Sequence, residues 1–357
     1  VIEEVADMPD ALYELVDDAP ELESPVLLYH LNGFVDAGHA GGGVVDQLLD
    51  TLEQRELARF DTDRLVDYRA RRPEMHFAQG AFQHYEAPEL TLRVLYDDVG
   101  APFLLLSGPE PDVMWEGFTA AVAELIERFG VRLTVGFYGI PTATPHTRPI
   151  GISAHATKRH LVPDEQLLDM ELRVPGSAAA LLQYRLGQVD RDAVGLVAQV
   201  PHYLAESEFP QASLSVLRAV SAVTGLLLPT AALGEAAELA ARAVQEEIDG
   251  NEQVARVVRA LESQYDAYEG AGSRGSLLAE PKAVPTADEI GAEFEQFLAD
   301  LDQPDNQSDD QSDDQSDDEP DDEPDDEPDD EPDDEPDDEP DDEPDDQPDD
   351  EPDDPPS

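Results

Sequence analysis

The chain has 357 residues, no cysteine, and 84 acidic residues against 21 Lys and Arg, a net charge of −63. Without cysteine there is neither a disulfide framework nor a thiolate metal site. The charge opposes nucleic acid and anionic membrane surfaces, which require clustered Lys and Arg. No apolar run approaches the ~18–20 residues of a membrane span, and the acidic N-terminus shows no basic secretory signal, so a cytoplasmic protein is expected.

The charge is unevenly spread. Of the 84 acids, 34 lie beyond Leu301, in repeats of Ser-Asp-Asp-Gln and then Asp-Asp-Glu-Pro, which leaves 50 acids against all 21 basic residues in 1–301. Proline at every fourth position removes helix interiors and like charges repel, so residues 302–357 are expected to form an extended, disordered acidic tail. A solubilising brush is the expected role. A docking arm or a weak, delocalised cation binder is the alternative.

Taken in order, a short helical piece is expected over Pro9–Leu15, then a buried strand over Val26–Val35, read from its near-continuous apolar run. Ala40–Leu52 carries Val44, Val45, Leu48, Leu49 and Leu52 at helical spacing. Glu56–Tyr68 leads into or includes a strand, and Arg69–Pro88 reads as a long irregular stretch. Strands follow at Leu90–Tyr96 and Pro102–Ser107, then a turn at Gly108–Asp112 with Asp112 as a helix N-cap. The next helix, Val113–Phe129, ends at Gly130. Further strands are expected at Val131–Ile140, Gly151–Thr157 and Ala193–Val200, with a helix at Gly176–Leu186 and a loop at Pro201–Ser207. Alternation of strand and helix predicts an α/β domain, residues 1–208, with a largely parallel sheet.

Beyond Glu208 the strand signal stops. Helices are expected at Pro210–Leu228, Leu233–Ile248 and Glu252–Tyr268, with a turn at Gly250-Asn251, forming a helical domain over 209–270. Residues 271–301 hold the rest of a flexible Gly270–Pro285 linker and an amphipathic helix opened by the capping box Thr286–Glu289.

Two loops carry the candidate chemistry. In Gly33–Gly43 the turn around Asp36, Gly38 and His39 either gathers backbone amides on a phosphate or carboxylate, or only lets Asp36 cap a closely packed helix, the stronger reading. It matches neither the P-loop nor the dinucleotide fingerprint, since no Gly-Lys-Ser/Thr follows. The second loop, Tyr138–Pro149, lies past the end of a buried strand, where open α/β sheets place ligand crevices. There His146 and Arg148 are candidates for acid–base and anion-clamp roles, with Thr147 beside them and His155 nearby. An interface role, or a rigid three-proline connector with Arg148 paired to a carboxylate, competes with that reading. His202-Tyr203 could reach the same crevice. No serine elbow, His-Glu-x-x-His or paired metal-ligand spacing occurs, so no catalytic residue, metal or cofactor is assigned.

The motifs LNGFVDAGHAGG, GFYGIPTATPHTRP and VPHYLAESEFPQASLSVLRAV together resemble the PAC2 (proteasome assembly chaperone) family, actinobacterial branch, over about Leu12–Tyr268. Gly33, Asp36, Ala37 and Gly38 match in the first motif, and Gly139, Pro141, His146, Thr147, Arg148 and Pro149 in the second. The resemblance implies a three-layer α/β/α core similar to purine nucleoside phosphorylases, followed by a small helical domain. It also implies homo-oligomers, a trimer among the options, and no established enzymatic activity. Several relatives dock on proteasomes through a C-terminal hydrophobic-Tyr-x motif; this chain ends Asp-Asp-Pro-Pro-Ser357, which puts such docking in doubt. The expected function is therefore non-enzymatic assembly or scaffolding of a protein complex whose identity is open. The alternative is a protein or enzyme binding a nucleoside- or phosphate-like ligand between the two loops.

Overall fold

The computed structural model describes residues 11–16, 20–168 and 171–272. The chain divides into two units, Val1–Ala279 and Glu280–Ser357, and every described residue lies in the first. The expected Thr286–Glu289 helix and the acidic tail lie outside the described residues.

Among these residues the strands are β1 (Tyr13–Leu15), β2 (Val26–Asn32), β3 (Gln54–Phe60), β4 (Met75–Ala78), β5 (Ala81–Tyr85), β6 (Thr91–Tyr96), β7 (Pro102–Pro109), β8 (Leu133–Thr142), β9 (Ile152–Ala156) and β10 (Ala193–Pro201). The helices are α1 (Ala40–Thr51), α2 (Thr62–Leu65), α3 (Trp115–Arg128), α4 (Ala178–Gln188), α5 (Pro210–Thr224), α6 (Ala231–Asp249) and α7 (Glu252–Gly272). Eight strands form one sheet in the order β1-β3-β6-β7-β2-β8-β10-β9. Its centre, β7-β2-β8-β10, is parallel, and the outer strands on both sides pair antiparallel.

Both faces of the sheet are covered, which is why the central strands read as unbroken apolar runs. Val26 and Leu28 of β2 face one layer, with α1 and α5 packed through Val44, Leu48, Phe209 and Leu217. Leu27 and Leu31, one residue out of phase, face the other layer, with Phe118 and Val122 of α3 and Leu182 and Leu186 of α4. This is the expected three-layer α/β/α core. Helix α5 belongs to one of its layers; α6 packs on α5, and α7 on α6.

Several elements differ from the sequence expectation. Tyr13–Leu15 is not helical but an edge strand paired with Phe60, Arg59 and Ala58 of β3, because Leu12 is drawn into the core. The supposedly irregular Arg69–Pro88 contains the β4–β5 hairpin, a separate two-stranded sheet. Asp112 does not cap α3. The cap position is Met114, while the Asp112 carboxylate accepts the amide of Asp67 and pairs with Arg71. Helix α5 ends at Thr224 before Gly225 in the left-handed region, earlier than Leu228, and α7 runs through Gly270 to Gly272. Strand β2 stops at Asn32, whereas β8 continues through Pro141. That proline is tolerated because β2 pairs β8 only as far as Gly136, so no β2 neighbour needs its missing N–H.

Candidate functional site

The first loop leaves the C-terminal end of β2 and enters α1. A Cβ on Gly33 would run into the Glu110 side chain, so only glycine fits there. The Asp36 carboxylate sits at the α1 N-terminus. Its Oδ1 accepts the amides of Gly41 at 2.8 Å and Gly139 at 2.9 Å, and its Oδ2 accepts that of Gly42 at 2.9 Å. The unpaired amides and the helix dipole both favour an anion there, and the chain supplies its own. The Gly38 amide donates to Ala205 O at 2.8 Å and that of His39 to Asp36 O at 3.1 Å. The amides that could have converged on a phosphate are thus engaged within the fold.

Behind Asp36, the buried His30 donates from Nδ1 to Phe137 O at 3.0 Å and places Nε2 3.5 Å from Asp36 Oδ2. His39 points outward instead, its Nε2 3.0 Å from Asp46 Oδ2 on the exposed side of α1.

The second loop reaches away from the first, towards the α6–α7 pair. The Tyr203 hydroxyl accepts the His146 amide at 2.8 Å and lies 2.8 Å from His146 Nδ1. Burial holds the His146 imidazole below its ordinary pKa, against an opposing pull from Glu262 and Gln245. Thr147 Oγ1 donates to Glu262 Oε1 at 2.5 Å. Arg148 grips Asp266 with two prongs, Nε to Oδ1 at 2.8 Å and Nη2 to Oδ2 at 2.7 Å, and its Nη1 lies 3.3 Å from Glu262 Oε1. Glu262 and Asp266 are four residues apart and share one face of α7. The Arg148 guanidinium holds the Asp266 carboxyl below its usual range.

The two loops meet at Gly139. A Cβ there would collide with Ala37 O and Ala40, so the loops close on one another at that point. Asp36 and Gly139 are brought together, with Gly38 in the same turn, while Gly33 packs on Glu110; His39 faces solvent, and Thr147 and Arg148 form a separate clasp on α7, with His146 held beside them by Tyr203. Tyr138 and His155 lie on the other face of the sheet, lining a cavity of about 210 Å³ beneath α4. Tyr138 OH stands 3.4 Å from His155 Nε2. Burial pushes the Tyr138 hydroxyl up and the His155 imidazole down.

Glu110 and Tyr29, both at this cavity, escaped the sequence reading. Glu110 is 7% exposed, and its carboxylate joins the first loop to α4 by accepting the Phe34 amide at 3.1 Å and the Ala178 amide at 2.6 Å. Its signal was an acid between two prolines at the end of a parallel strand, a pattern equally typical of an exposed turn. Tyr29 is hidden within the apolar run of β2. Among the described residues no group of three or more His, Asp or Glu is placed to hold a metal, and no helix is long and apolar enough to cross a membrane.

Residues 30–248 match the model of the PAC2 family. A solved Mycobacterium tuberculosis protein of unknown function is 43% identical, with a TM-score of 0.73, covering 77% of this chain and 95% of its own. A Corynebacterium glutamicum protein of unknown function is 38% identical, with a TM-score of 0.70, covering 72% and 98%. A second M. tuberculosis protein, described as a proteasome-assembly chaperone homologue, is 26% identical, with a TM-score of 0.60, covering 65% and 99%. No functionally curated protein matches the chain.

Proposed function

The chain belongs to the PAC2 family, and on that premise we propose that it is a non-enzymatic protein that assists the assembly of, or scaffolds, a protein complex. The observation that carries this reading is the employment of its most reactive-looking groups. Asp36 caps α1 and ties it to β8, His146 is held by Tyr203, and Arg148 is spent on Asp266 and Glu262. Each of these groups has its partners within the fold, which supports a role in ordering it. The relative described as a proteasome-assembly chaperone homologue supports an assembly role in general terms. Fold likeness by itself does not carry function, so the partner is left open.

The reading includes a cytoplasmic location and self-association. The β4–β5 hairpin supports the latter. Met75, Phe77, Phe82 and Tyr85 are each 44–67% exposed, with Met75 opposite Tyr85 and Phe77 opposite Phe82. A lone two-stranded hairpin is marginal in water, and such a cluster gains by being covered.

The test is affinity purification of the full chain, and of a form lacking 302–357, from its native cytoplasm, followed by reconstitution. A reproducible stoichiometric partner whose assembly from separated subunits is accelerated by the chain supports the proposal. No reproducible partner with either form, or a partner whose assembly is unchanged, contradicts it.

A further inference from the structure

A row of four residues crosses the sheet in register: Tyr29 of β2, Gly136 of β8, Gly195 of β10 and His155 of β9. The two central glycines carry no side chain, and two aromatic rings take up that space. The Tyr29 ring leans over Gly136 and the His155 ring over Gly195, each where a Cβ would collide with it. Above them α4 presents Ala179 and Ala180, short side chains that leave the space unfilled. Protein interiors are normally close-packed, so a cavity of about 210 Å³ framed by two rings and two alanines is a site with room for a further ring. Phe34 and Val174 stand at its rim, 59% and 71% exposed.

The polar groups define what would enter. Tyr29 OH reaches Ala179 O at 3.4 Å, and Tyr138 OH reaches His155 Nε2 at 3.4 Å. Hydroxyl bonds are ordinarily about 2.7–2.8 Å long, so both phenols retain hydrogen-bonding capacity for a better partner. Burial raises both phenol pKa values, keeping the hydroxyls protonated as donors. Among the described residues no Lys or Arg lines the cavity, while Glu110 does. A buried anion would meet no compensating charge there, and a carboxylate besides.

We propose that this cavity binds a small neutral aromatic molecule, a flat ring system of about ten non-hydrogen atoms carrying a hydrogen-bond acceptor that the Tyr138 hydroxyl meets. An apolar cavity of about 150 Å³ suffices for benzene in a well-studied case, so a bicyclic ring suits this larger one. The inference goes beyond the assembly reading, since an assembly factor could exist with or without a small ligand.

The probes are quinoline, a neutral bicycle with a ring-nitrogen acceptor; naphthalene, the same shape without one; and benzoate and inorganic phosphate as anions. Calorimetric titration of the full chain is expected to show saturable binding of quinoline, weaker binding of naphthalene and none of the anions. Tyr138→Phe, which keeps the ring, is expected to weaken quinoline about tenfold and leave naphthalene unchanged. Ala179→Leu, which fills the roof, is expected to abolish binding of both while the protein melts cooperatively. No saturable binding of quinoline by the wild type overturns the proposal, as does equal affinity for benzoate. Unchanged quinoline affinity in Tyr138→Phe overturns it even where Ala179→Leu fails to fold, and unchanged binding in a folded Ala179→Leu places the ring elsewhere and overturns it too.

Discussion

Asp36 shows how a single carboxylate can imitate a ligand. Its three short amide bonds involve a charged acceptor, each worth about 1.5–3 kcal/mol in a partly buried setting, although they share one desolvation cost. Asp36→Ala leaves the Gly41, Gly42 and Gly139 amides without that acceptor and is expected to cost roughly 2–4 kcal/mol in urea unfolding. Asp36→Asn keeps one acceptor oxygen and should recover part of the loss. Equal stability of wild type and Asp36→Ala would show that the amides find other partners without cost.

His146 makes the fold sensitive to acid. Its folded pKa lies below the ordinary 6.5. As pH falls through that value the unfolded chain takes up a proton first, so the folded state loses stability until the folded pKa is passed. His155 is shifted in the same direction by burial and adds to the effect. The melting temperature is expected to fall between pH 7.5 and 5.5, and to fall less in His146→Asn. An identical slope in that variant would remove His146 from the account.

At the scale of elements, the clasp between the second loop and α7 is built from the Arg148 guanidinium and the Thr147 hydroxyl, the guanidinium supplying the two-pronged part. Arg148→Ala is expected to raise hydrogen-exchange rates along residues 252–267 while the central strands β2 and β8 stay protected. Arg148→Lys should restore only part of the protection, because an ammonium cannot reproduce the two-pronged contact with Asp266. Uniform exchange in wild type and Arg148→Ala would mean that the guanidinium does not hold α7.

How much of this was legible in sequence follows from range. Strands β2, β7, β8 and β10 were readable because burial on both faces leaves unbroken apolar runs, and α1 and α3 because their stripes repeat every three or four residues. Tyr13–Leu15 was not, since three residues carry no period and become a strand only by pairing with β3, more than forty residues away. The β4–β5 hairpin was missed because its strands are only four and five residues long and belong to no buried face, so the brief Met75-His76-Phe77 alternation does not stand out from a loop. Asp36 was legible as a helix cap by its place before a glycine-rich helix start. Its bond to Gly139 was not, and neither were the hold of Arg148 on Asp266 and the role of Glu110 at α4, because all three span long stretches of chain.

For the whole molecule, charge and shape pull in opposite directions. A net charge of −63 keeps chains apart, while the apolar face of the β4–β5 hairpin favours association. Added salt screens the first and leaves the second intact, so light scattering is expected to show a larger mass at 0.5 M than at 0.05 M sodium chloride. The double variant Phe77→Ser, Phe82→Ser should reduce the mass at both. A monomeric wild type under both conditions would remove the hairpin as a self-association surface.

The central claim is that the glycine turn and the proline loop are joints of a scaffold, their amides and their arginine already occupied. Calorimetric titration of the full chain with inorganic phosphate and with a nucleoside monophosphate tests it most directly. The account predicts no saturable heat with either at millimolar concentration, and no rise in the melting temperature. Saturable binding that is lost in Arg148→Ala, with the core still folded, would contradict it and return the two loops to the status of a ligand site.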